Sequence, residues 1–207
     1  MQKYFITAIG TDSGKTFVSA IFVEALKANY WKPVQCGEPR DTDAVKNLIS
    51  NNESYFFDEA YFLKKPASPH DAAKEENIEI KIDQIKKVNA SLSLPKTEKP
   101  LIIEGAGGLL VPLNNSDTIL DLIQPDYKII VVSRHYLGSI NHTLLTVNLL
   151  AAKGFDVSII FSGNEHPTTE SIIKKMTNVN VIGRIDEEPY FDKNVIKEYA
   201  NKFREKL

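Results

Sequence analysis

Four short runs in this chain are almost wholly apolar: PLIIE at 100–104, YKIIVVS at 127–133, VSIIF at 157–161 and VNVI at 179–182. A strand with one wet face alternates apolar and polar residues, whereas a strand covered on both faces has no need to. Together with the apolar, β-branched stretch Lys3–Ala8, these runs predict parallel strands sealed by helices on either side. Helical spacing lies between several of them. Residues 16–27 carry Phe17, Ile21, Val23 and Leu26 at such spacing, and 44–50, 80–92, 139–153, 168–176 and 194–203 also read as helices. Strand alternating with helix predicts an open, doubly wound, mostly parallel α/β sheet. Segments 66–70 (PASPH) and 93–99 read as loops. No linker, repeat or low-complexity tract divides residues 1–207, so a single domain is expected.

Bulk properties narrow the function classes. With 207 residues, 43% hydrophobic and 25% charged, the chain can bury a continuous core and is not disordered in character. A net charge of −2, with both signs spread along the chain, offers no basic field to follow phosphates, so no nucleic-acid partner is expected. One cysteine, Cys36, excludes an internal disulfide framework and fits a reducing compartment. No apolar run approaches a membrane span, and MQKYFITAIG leaves no room for a signal peptide, so a cytoplasmic protein without a membrane partner is expected.

The first strand runs into Gly10, Thr11, Asp12, Ser13, Gly14, Lys15 and Thr16, then a helix. Phosphate oxygens need several backbone N–H groups converging on them, and glycine lets the chain curl that closely. Lys15 supplies a point charge to the terminal phosphates and Thr16 a hydroxyl for magnesium, so the segment predicts an ATP-magnesium loop of the P-loop NTPase type. Its spacing is unusual: Gly10 stands four residues before Gly14, and the common five-back position is Ile9. A chance Gly-Lys-Thr is the alternative, and placement between strand and helix favours the loop.

Three further segments carry chemistry. Residues 102–112 (IIEGAGGLLVP) read as a buried strand ending in Glu104 and a glycine-rich turn. Ligands of open α/β sheets gather beyond the carboxyl ends of strands, where Glu104 could serve a magnesium ion and the 105–108 turn could hold a small substrate. In WKPVQCGEPRDTD at 31–43, Lys32 enters a second strand and either meets an anionic partner or snorkels at the sheet edge. Asp41 or Asp43 would cap the helix that follows. In LGSINH at 137–142, Gly138 and Ser139 open a helix whose free N–H groups suit a carboxylate, although for this segment alone an ordinary glycine-serine cap is the simpler account.

Taken together, TAIGTDSGKT at 7–16, KPV at 32–34 with TDA at 42–44, SPH at 68–70, EGAGG at 104–108 with its trailing VP, and LGSINH occur in the order and spacing of the dethiobiotin synthetase family. The resemblance runs from about residue 3 to residue 164; EGAGG and LGSINH are its specific motifs, since the P-loop is widely shared. It implies ATP- and magnesium-dependent ring closure of diaminopelargonic acid with carbon dioxide through a phosphorylated carbamate. By motif match, Lys15 holds the transferring phosphate, Lys32 steadies carbamate and phosphoryl oxygens, and Thr16, Asp43 and Glu104 hold magnesium. Thr11, Lys32, Cys36, Gly105, Ala106 and Gly107 face the substrate. Gly138, Ser139 and Asn141 resemble the element that grips the substrate carboxylate from a neighbouring subunit, which implies a homodimer with shared sites. Three positions depart from the family pattern: Ala8 replaces a glycine, Cys36 a small or hydroxyl residue, and Ser162, with Asn164 two residues on, stands where an asparagine reads adenine.

A partner-positioning P-loop switch ATPase is the alternative, since it would share the sheet and the magnesium carboxylate. Such proteins carry a second lysine near the start of the loop, and no lysine lies between Lys3 and Lys15 here. A non-catalytic nucleotide-binding module is a third reading, and turnover that depends on both organic substrates separates the ligase from it.

Overall fold

A computed structural model describes residues 1–92 and 99–207. Of the loop expected at 93–99, only Lys99 falls within them. Seven parallel strands form the main sheet: β1 (Lys3–Ala8), β2 (Asn29–Trp31), β4 (Phe56–Phe57), β6 (Leu101–Glu104), β7 (Tyr127–Arg134), β8 (Asp156–Ser162) and β9 (Asn180–Ile185). Their order is β4-β2-β6-β1-β7-β8-β9, with every pair parallel. A second, two-stranded sheet pairs β3 (Val34–Cys36) with β5 (Tyr61–Leu63).

Helices cover both faces, which is why the strands lack alternation. Residues of α1 (Lys15–Leu26), α2 (Asp41–Leu48) and α7 (Lys193–Phe203) join Tyr4, Ile6 and Ala8 in one buried cluster. Those of α3 (Pro69–Glu75), α4 (Ile82–Leu92), α5 (Ser139–Ala152) and α6 (Pro167–Thr177) join Phe5 in the other. Successive residues of β1 thus feed opposite cores, as a strand's period of two requires. Among the described residues no helix is long and apolar enough to cross a membrane.

Strand β1 lies between β6 and β7, with Ile6 level with Glu104 and Ala8 level with Val132. The chain leaves β1 beside the carboxyl end of β6, at the point where the sheet's order of construction turns from one side to the other. This is where an open α/β sheet forms its ligand crevice.

The structure departs from the sequence expectations in three places. The strand expected to carry Lys32 is split: β2 ends at Trp31 and β3 starts at Val34 in the other sheet. Pro33, with no N–H to continue a ladder, lies at the break. Residues 66–70 are not all loop, because Pro69 begins α3 at the helix position where a missing N–H costs nothing. Helix α2 starts at Asp41, three residues before the expected 44, with Arg40 as its N-cap. Neither Asp41 nor Asp43 caps it; the Asp41 N–H is met instead by the Gln35 side-chain carbonyl at 3.2 Å.

Candidate active site

A cleft of about 1110 Å³ opens at the carboxyl edge of β1, β2 and β6, and the 11–17 segment forms its floor. Asp12 at φ 54° and Gly14 at φ 91° lie in the left-handed region, the backbone type that gathers successive N–H groups into an anion-binding concavity. The Ser13 hydroxyl donates to the Gly10 carbonyl at 3.1 Å, and Arg134, from the end of β7, donates to the Asp12 carbonyl at 2.9 Å. Gly14 is required here, because a Cβ on it would stand 3.2 Å from the Ser162 hydroxyl in addition to its φ. Gly10 is not crowded, with nothing within 4 Å of such an atom. The Lys15 ammonium reaches back to the Gly10 carbonyl at 3.5 Å. Burial pulls its pKa below the ordinary lysine value; Glu104 opposes that shift and Lys32 adds to it.

Glu104 organises the opposite wall. Its side chain is fully buried, and both oxygens are in use. Oε1 accepts from the Thr16 hydroxyl at 3.2 Å and the Lys32 ammonium at 3.1 Å. Oε2 accepts from Ser19 at 2.6 Å and from the Tyr30 phenol at 3.0 Å. Thr16 and Ser19 lie one turn apart on α1, so both face β6. Burial, followed by the charge of Glu104, pushes the Tyr30 phenol well above its ordinary pKa, and it remains a donor.

Lys32 is 3% exposed and lies between carboxylates, 2.5 Å from Asp41 Oδ2 and 3.1 Å from Glu104 Oε1; it also donates to the Gly105 carbonyl at 3.4 Å. Burial alone would lower its pKa, but Glu104 and then Asp41 outweigh that and hold the ammonium above its ordinary value. Of the two possibilities read from the sequence, an anionic partner therefore describes Lys32 and snorkelling does not.

Asp43, expected beside the metal, is exposed and does not line the cleft. Asp41 occupies that place, within 3.2 Å of the Thr16 hydroxyl as well as against Lys32. The reason is angular: two residues along a helix turn the side chain by about 200°, so Asp41 and Asp43 face opposite ways. Thr16, Asp41 and Glu104 bring one hydroxyl and two carboxylates together, an oxygen-only set that suits a hard cation such as magnesium. Among the described residues no group of three His, Cys, Asp or Glu side chains forms a self-sufficient metal site.

Cys36, Ala106 and Gly107 line the cleft together with Lys32, Ser68 and Pro69. Gly105 lies behind the wall, where a Cβ would meet Ile119 and Phe5 at 3.2 and 3.3 Å. Burial raises the Cys36 thiol to about 11, although Lys32 pulls it the other way. Where β8 and β9 end, Ser162 and Gly163 border the cleft with Ser162 beside Gly14, and Asp186, Glu187 and Glu188 line it as well. Asn164 is exposed and is not among the lining residues, but its amide donates to Glu187, which is, at 3.2 Å. Phe17 and Phe191 stack at 3.9 Å between centroids beside this end. Gly138, Ser139 and Asn141 are not brought to the cleft of their own chain: Ser139 is buried and Asn141 exposed at the start of α5. Around them Tyr136, Leu137 and Leu145 present apolar surface.

The sequence offers Asp41 only as a helix cap, and it does not single out Tyr30, Ser19, Arg134 or the acidic run 186–188. Ser19 was detectable from its spacing to Thr16 on a helix; Tyr30 gives no local sign, because its partner lies 74 residues away.

A family model described as an AAA domain matches residues 2–195. The chain is 56% identical over 209 aligned residues to the ATP-dependent dethiobiotin synthetase BioD of Christiangramia forsetii, covering 100% of this chain and 98% of that one. It is 48% identical to the enzyme of the same name from Cytophaga hutchinsonii, over 98% of this chain and 97% of that one. Among solved structures, it is similar in fold to a ParA family ATPase from Chlorobium tepidum, with a TM-score of 0.60, 12% identity and 97% of each chain covered.

Proposed function

The chain belongs to the dethiobiotin synthetase family of ATP-dependent cyclo-ligases, and from that premise we propose that it closes a cyclic urea on diaminopelargonic acid, using carbon dioxide and magnesium-ATP. The observation that carries this reading is the pair of buried lysines, Lys15 in the phosphate loop and Lys32 on the facing wall. One cation serves the nucleotide, and the second faces the space where a smaller anion would meet it.

In the first step an amine nitrogen bonds to the carbon of carbon dioxide and loses a proton, giving a carbamate. Lys32, with the Gly107 turn and Cys36 beside it, steadies the carbamate oxygens. A carbamate oxygen then bonds to the γ-phosphorus as the bond to ADP breaks, with Lys15 and the loop N–H groups meeting the charge that spreads over the phosphoryl oxygens. The second amine attacks the carbamoyl carbon, phosphate departs with the oxygen, and the ring closes with loss of a proton. Thr16, Asp41 and Glu104 would hold magnesium, which when bound offsets phosphate charge.

The exposed start of α5, with Leu137 fully exposed and Asn141 beside it, supports a homodimer in which this element completes the neighbouring chain's site. In such a two-fold pair every cleft takes its loop from one chain and its substrate grip from the other. The lone cysteine supports a cytoplasmic setting. The likeness to a ParA family ATPase is one of fold, which hosts many activities.

Mass detection of dethiobiotin formed from diaminopelargonic acid, bicarbonate and magnesium-ATP tests the reading. ATP turnover that ignores diaminopelargonic acid and yields no product of that mass would refute it.

A further inference from the structure

Tyr30 has no part in the steps above, yet its chemistry is unusual for where it lies. It sits in β2 level with Ile102 of β6, with no exposed surface, in the apolar cluster beneath α1. A phenylalanine would fill that space without bringing a polar atom into it. The phenol is tolerated because its hydroxyl ends 3.0 Å from Glu104 Oε2, where Ser19 also donates at 2.6 Å. A carboxylate oxygen has two lone pairs in its plane, and these two donors take both. With Oε2 held from behind, the carboxylate cannot rotate freely. Oε1 also has two donors, Thr16 and Lys32, but both lie on the cleft side, and the Thr16 hydroxyl can turn its proton away when a cation arrives, which frees a lone pair on Oε1.

We propose that Tyr30, with Ser19, is a positioning residue that fixes the Glu104 carboxylate and presents a single oxygen, Oε1, to the nucleotide-bound divalent cation. This rests on the reading of Glu104 as a magnesium carboxylate given above. Partners behind a metal-binding group are worth about 10–100-fold in metal affinity in characterised sites.

The test uses the full chain with AMPPNP, a non-hydrolysable ATP analogue, and titrates magnesium chloride while following the melting temperature. Tyr30→Phe should move the magnesium midpoint about tenfold higher, and magnesium-free melting with the analogue should not account for the change. In turnover assays the apparent KM for magnesium should rise by a similar factor, while kcat at saturating magnesium falls much less. Ser19→Ala, which trims one hydroxyl from α1, carries the same expectation and serves if Tyr30→Phe does not fold. Glu104→Gln is the reference for losing the carboxylate itself. If Glu104→Gln shifts the midpoint while Tyr30→Phe and Ser19→Ala titrate as wild type, the positioning role is overturned and the Glu104 reading stands. A uniform drop in melting temperature with an unchanged midpoint has the same force. If wild type shows no magnesium response with AMPPNP bound, both are overturned.

Discussion

Replacing Lys32 by methionine isolates the charge at the centre of the site, since the new side chain keeps most of the stem and loses only the ammonium. In the wild type that ammonium is 3.1 Å from a carboxylate with no side-chain exposure and 2.5 Å from one that is 31% exposed. The Asp41 contact is partly screened by solvent, so the buried Glu104 contact sets the scale of the loss. Removing the partner of a buried charge is severe, and the lower end of the usual range gives a loss of about 3 kcal/mol. For a chain of this length, that corresponds to a melting temperature about 6–12 °C lower. Thr16, Ser19 and Tyr30 would still donate to Glu104, but none carries charge. Lys32→Met with Glu104→Gln should therefore lose less than the two single changes summed, with a coupling of at least about 1 kcal/mol. The pH dependence has a definite sign. Folding raises the Lys32 pKa, so its contribution is fully present below the ordinary lysine value and fades as pH rises through the folded value. The gap between wild type and Lys32→Met should stay flat from neutral pH to about 10 and close above it. Urea unfolding of the four proteins measures all of this, provided the slopes agree. A loss under about 1 kcal/mol for Lys32→Met, or an additive cycle, would refute the pairing.

Lys15 shows the opposite sign. Burial lowers its pKa, so below the folded value its charge costs stability, and the cost is relieved as pH rises through that value toward the ordinary one. Lys15→Met should thus melt no lower than wild type at pH 7 without nucleotide, yet lose the ATP-dependent rise in melting temperature and at least about 90% of turnover, 1.4 kcal/mol in barrier. Asp41→Asn should raise the magnesium requirement of turnover and Asp43→Asn should leave it unchanged; the reverse pattern would show that α2 starts differently in solution. Cys36, with a thiol at about 11, should alkylate slowly with iodoacetamide at pH 7 and about tenfold faster per pH unit up to that value, whereas fast neutral reaction would contradict its burial. Lys15→Ala and Asn141→Ala should each be nearly inactive but recover about a quarter of wild-type activity once mixed and exchanged, since one site of each mixed dimer carries neither change. Proven exchange without recovery would remove the shared-site model.

What could be read from the sequence follows the range of the forces involved. Strands β6 to β9 announced themselves because burial on both faces is written locally, as runs such as YKIIVVS. The phosphate loop was legible for the same reason, since its glycine, lysine and threonine are neighbours. The edge strand β4 has two residues, Phe56 and Phe57, too few for any periodicity to show. Asp43 is placed at the metal by the motif match alone, whereas in the structure it is Asp41 that meets Thr16 and Lys32; its N–H is met by Gln35, a contact no local pattern shows. Asn164, expected at the base, donates to Glu187, a cleft residue from the loop after β9 that the apolar pattern does not reach.

The two lysines show where such reading must stop. Lys15 and Lys32 are the same residue type, both are nearly buried, and both lie within the reach of Glu104, yet their pKa values move in opposite directions. The difference is pairing. Lys32 has two carboxylates in contact, which repay the loss of water, whereas Lys15 rests on a carbonyl at 3.5 Å and keeps an unneutralised charge. An unpaired buried cation is destabilising to the chain alone and becomes favourable when an anion arrives, so that cost is a reserve of binding energy for phosphate. Lys32, already neutralised, holds the wall together and adds direction more than affinity. This division depends on which carboxylates fold against which ammonium, and those partners lie 9 and 72 residues from Lys32 in the sequence.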